Sequence, residues 1–101
     1  MRQGIVAAIT AFMAAGTAFA QAPDAERGLD IAETWCILCH VVAPQGEGTD
    51  IGPAFASVAG KDPDVLRAWI IVPHSGMPRL DLSEEQIDDV LAYILTLRPD
   101  Q

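Results

Sequence analysis

Basic residues are scarce and never clustered. Six Lys and Arg stand against 14 Asp and Glu in 101 residues, a formal charge of −8. A chain without a Lys/Arg run repels phosphate, so nucleic acid is not an expected partner. Cysteine is almost missing too, with Cys36 and Cys39 alone. Two thiols three positions apart close almost no loop, and a bridge between them would not staple a small exported domain. Internal repeats, collagen-like or coiled-coil composition and useful strand-period segments are also lacking, which leaves one domain at most, and an all-α one.

What is present begins with an export signature. Arg2 supplies a positive start, residues 5–15 are apolar, and Ala18-Phe19-Ala20 is a small-x-small cleavage site before Gln21. Residues 1–20 therefore read as a secretory signal peptide, with 21–101 as the exported, periplasmic domain. An uncleaved membrane anchor is the alternative, because residues 4–20 touch the lower length limit for a spanning helix. Cleavage leaves 81 residues and removes Arg2, taking the charge to −9. A chain that short seldom buries enough apolar surface to stand by itself, and a bulky apolar cofactor would supply the missing core.

Three helices are expected in the exported part. Asp24 caps the first, from Ala25 to the cysteines, with Gly28, Ala32 and Cys36 as a stripe of small residues on one face. Residues 41–60 are punctuated by Pro44, Gly46, Gly48, Gly52 and Pro53 and read as loop, with a helical turn around residues 55–59. Asp62 and Pro63 open the second helix, whose apolar stripe is Val65, Leu66, Trp69 and Ile70. Residues 73–78 form a proline-bounded loop carrying His74 and Met77. Ser83 and Gln86 make a capping box for the third helix, with Ile87, Val90, Leu91 and Ile94 inward and Arg98-Pro99 at its end. Glu84, Glu85, Asp88 and Asp89 read as a solvated face.

Cys36-Ile37-Leu38-Cys39-His40 is the pattern of c-type haem attachment. Two thiols at this spacing reach the two vinyl-derived carbons on one edge of the porphyrin, and the adjoining His40 is carried beneath the iron. Two rival chemistries use similar residues. A redox dithiol also uses C-x-x-C but follows a strand in an α/β fold. A zinc site could combine Cys36, Cys39, His40 and His74, with strain from adjacent ligands. For the second axial position Met77 is favoured, because it is the sole methionine after residue 20 and lies in a Pro/Gly loop instead of an apolar stripe; His74 is the competitor.

Together these residues resemble the class I cytochromes c across essentially the whole exported chain. The likeness is carried by Gly28-x-x-x-Ala32-x-x-x-Cys36 running into the haem motif, then Gly52-Pro53-Ala54-Phe55, Met77-Pro78 and Leu91-Ala92-Tyr93-Ile94. It implies a small cytochrome c fold of three main helices around one covalent haem, with Gly28 crossing Tyr93. It further implies that the Pro53 carbonyl holds His40 and that Trp69 packs on the haem. The 36 residues between His40 and Met77 resemble the compact bacterial types.

The expected function is one-electron transfer between Fe(III) and Fe(II), without acid–base catalysis or a small-molecule substrate. The iron would lie between His40 and Met77, and electrons would pass near the cysteines. Residues 41–44 offer apolar surface there, and the negative charge favours a redox partner with a basic docking face. A fixed electron-accepting subunit of a periplasmic dehydrogenase or oxidase is the alternative, and an open-site peroxidase or gas binder a third.

Overall fold

Asp24 starts the first helix by accepting from the backbone N–H groups of Glu26 and Arg27, two donors that no helical carbonyl can satisfy. In the computed structural model, which describes residues 21–72 and 76–99, this helix is α1, Ala25–Trp35. A single turn, α2, spans Phe55–Val58; α3 spans Pro63–Ile71 and α4 spans Glu84–Thr96. No strand occurs among the described residues. The expected signal segment and His74 lie outside them.

Each helix starts where side-chain chemistry places it. Asp62 accepts from Asp64 N–H ahead of Pro63, which has no N–H to satisfy. Ser83 accepts from Gln86 N–H while the Gln86 side chain accepts from Ser83 N–H, a reciprocal pair. Beyond α4, Arg98 donates to the carbonyls of Ala59 and Lys61 at 2.8 and 2.7 Å. The chain end is thereby tied to the α2–α3 connection.

The most extensive helix contact is α1 on α4, with α3 also packed on α4. Gly28 makes the crossing possible: a Cβ there would fall 1.9 Å from the Asp89 carbonyl oxygen and 3.0 Å from Tyr93 Cβ. Only a residue without a side chain permits that approach. Ala32 and Cys36 continue the small stripe into a core shared with Phe55, Leu66, Val90, Tyr93 and Ile94. The Tyr93 hydroxyl donates to the Val42 carbonyl, joining α4 to the segment after the cysteines.

Two expectations about charge and surface need correction. Asp89 is buried, and Asp88 pairs with Arg67 at 2.8 Å, so half of the acidic quartet bridges elements instead of facing solvent. Asp89 accepts from Asp24 N–H at 2.8 Å and from Arg27 Nε at 3.1 Å, pinning the start of α1 onto α4. Val42 is buried in the core, which removes it from the apolar surface expected at residues 41–44.

Candidate functional site

Cys36 is the C-cap of α1, where its N–H reaches back to the Ala32 carbonyl. The chain then turns tightly, with Cys39 N–H and His40 N–H both donating to the Cys36 carbonyl at 3.1 and 2.9 Å. This turn brings the two cysteines and the histidine to one end of the helix. Both thiols are free. Burial first, and then the neighbouring Cys39, push the Cys36 thiol up to about 11. A disulfide-exchanging C-x-x-C pair shows the opposite, a lowered thiol. With no strand before Cys36 among the described residues, the redox-dithiol reading loses its structural context. Among the described residues no three His, Cys, Asp or Glu side chains are grouped to hold a metal ion, and His74 of the zinc reading lies outside them.

His40 is fixed from its far side. Its Nδ1 lies 2.7 Å from the Pro53 carbonyl oxygen, which can only accept, so Nδ1 carries a proton and, in the neutral ring, Nε2 bears the lone pair. The Phe55 ring lies 5.2 Å from the imidazole at a 45° tilt. Gly52 sits so close that a Cβ would fall 2.7 Å from His40 Cε1, so the loop presses its bare backbone against the ring.

Two adjoining pockets share Cys36, His40, Pro53, Met77 and Leu80 as walls. The first encloses about 590 Å³ counting its open mouth and is closed by Phe55, Leu66, Trp69, Ile70, Val90 and Ile94. The second, about 730 Å³ on the same basis, adds Cys39, Trp35 and Ile51. The two pockets together, with two free thiols and one oriented imidazole in their walls, suit a bulky apolar group bearing a metal. Two thiols able to form thioether links, beside an imidazole and a methionine thioether as donors, suit a haem in particular.

All six residues singled out in the sequence come to this place. Cys36, His40, Pro53, Trp69 and Met77 line the first pocket, and Cys39 joins in the second. Trp69 is 39% exposed, with Lys61 Nζ 5.7 Å from its ring centroid. Sequence reasoning missed Leu80 and Leu82, whose alternate spacing after Met77 was the available signal, and Thr49, which donates to the Cys39 carbonyl at 2.6 Å. The exposed apolar side chains near the cysteines are Trp35, Ile37, Leu38 and Ile51.

Over 92 residues the chain is 41% identical to cytochrome c-552 of Bradyrhizobium diazoefficiens, an alignment covering 86% of this chain and 88% of that protein. No protein-family profile and no solved structure matches. With this identity over most of both chains, on an all-helical fold built around a C-x-x-C-H pocket, the protein belongs to the class I monohaem c-type cytochromes, electron carriers that hold one haem c and its iron covalently.

Proposed function

We propose that this cytochrome is a free one-electron shuttle of the periplasm, with its iron held between His40 and Met77. The observation that carries the reading is the meeting of Cys36, His40 and Met77 in the walls of one apolar pocket. Cys36 and Cys39 would form the two thioether links. The bound group supplies a reversible Fe(III)/Fe(II) couple. His40 would offer Nε2, with the Pro53 carbonyl fixing the tautomer and strengthening the imidazole as a donor. Met77 would offer a soft thioether, which favours Fe(II) and raises the potential. Phe55, Leu66, Val90 and Ile94 keep water from the pocket, and the partly exposed Trp69 forms part of its wall.

With His40 and Met77 both holding the iron there would be no open position for substrate, which separates this reading from peroxidase or gas-binding chemistry. The partner's approach is to the cysteine edge, where Leu38 is 84% exposed. The net charge of −8 favours a partner with a basic docking surface. No helix among the described residues is long and apolar enough to cross a membrane.

Substituting Met77→Ala tests the ligand set. The expected outcome is loss of the ferric methionine–iron absorption band, a lower midpoint potential and rapid carbon monoxide binding by the reduced protein. Unchanged spectrum and potential would reject Met77. Rapid carbon monoxide binding by the unsubstituted protein would reject the closed site itself.

A further inference from the structure

The Pro53 carbonyl that holds His40 belongs to a loop pressed against the imidazole by the backbone of Gly52, where no side chain fits. Something other than Gly52 must therefore hold that loop in place. Thr49 is so placed. Its hydroxyl has one proton to give and two lone pairs to offer, and all three are used. Oγ1 donates to the Cys39 carbonyl at 2.6 Å and accepts the N–H groups of Ile51 and Gly52, each at 3.1 Å. The Gly52 carbonyl, 3.3 Å from Oγ1, already accepts from Thr49 N–H at 3.0 Å.

One oxygen thus ties the residue before His40 to the turn that delivers His40's acceptor. On the other side of Pro53 a second tie runs from Phe55 N–H to the Val41 carbonyl at 2.9 Å. Pro53 lies between these two anchors. The backbone tie survives any side-chain change, whereas the Thr49 tie rests on one hydroxyl.

We propose that Thr49 is a positioning residue for the His40–Pro53 hydrogen bond and, through it, sets the electron-donating strength of His40 toward the iron. The inference rests on His40 as an axial ligand. A firmly held acceptor makes the imidazole more basic and favours Fe(III). Loosening the acceptor raises the midpoint potential.

The test compares Thr49→Val, which keeps the shape and removes the hydroxyl, with Thr49→Ser, which keeps the hydroxyl. Two quantities are read on the haem-loaded proteins: the midpoint potential, and the solvent exchange rate of the His40 Nδ1 proton by NMR of the ferrous state. Thr49→Val is expected to raise the potential and speed exchange about fivefold, the fold-change for one lost hydrogen bond. Thr49→Ser is expected to return both toward the unsubstituted values. Unchanged potential and exchange in Thr49→Val would overturn the proposal, as would equal shifts in the serine variant. If the valine variant cannot be isolated, Thr49→Ala replaces it and is read in the same way. Whether His40 and Met77 ligate at all is read separately, from the ferric spectrum of the unsubstituted protein.

Discussion

The α1–α4 crossing and the pocket beside it are built by different means. At the crossing, protein meets protein directly: Gly28 lies against the Asp89 backbone, and Asp89 grips both Arg27 and the start of α1. At the pocket, two loops and the open faces of α3 and α4 line an apolar pocket of about 590 Å³ counting its open mouth, and are held at a few points by hydrogen bonds. The first region is complete in the polypeptide. The second is complete only with the group it is shaped for, so folding and haem loading are coupled there.

Withholding haem sharpens this contrast with the largest expected effect. Protein expressed without haem attachment is expected to lose hydrogen-exchange protection first in residues 41–59 and 63–71, with residual protection confined to α1 and α4. Uniform loss, or protection kept at the pocket, would break the comparison. Gly28→Ala attacks the other region. A methyl group 1.9 Å from a backbone oxygen forces the helices apart, and overpacking of this kind costs ~1–3 kcal/mol or more, to be read in denaturant unfolding of the haem-loaded protein.

A smaller effect is expected at Asp89. Burial alone would raise its carboxyl, but the hydrogen bonds from Arg27 and Asp24 N–H, with the charge of Arg27, hold it below the usual range. A carboxylate lowered on folding stabilises the native state above its unfolded value of about 3.9, and that contribution is lost as pH falls through the lower folded value. Asp89→Asn is expected to weaken stability at neutral pH and to flatten its decline below about pH 4. An unchanged acid-unfolding curve would remove Asp89 as the pin.

Features governed by local chemistry were legible in the sequence. Asp24, Asp62-Pro63 and Ser83-Gln86 cap helices through their own neighbours, so the three main helices and the turn after Pro53 lie where the pattern places them. The cysteine–histidine segment was legible because its spacing is the chemistry. Long-range pairing was not. Composition along α4 placed Asp89 on a solvated face, because nothing local shows that Arg27, 62 positions away, would meet it. The Val42 carbonyl accepts from the Tyr93 hydroxyl 51 positions on, and the Thr49 hydroxyl reaches ten positions back to Cys39. Leu80 and Leu82 gained meaning only when the pocket placed them beside Met77.

The proposed tether of the haem is through Cys36 and Cys39. Denaturing electrophoresis of the protein with haem staining, paired with its intact mass, tests it most directly. A stained band and a mass equal to polypeptide plus one haem are expected. An unstained band at the mass of bare polypeptide, with two titratable thiols, would contradict it.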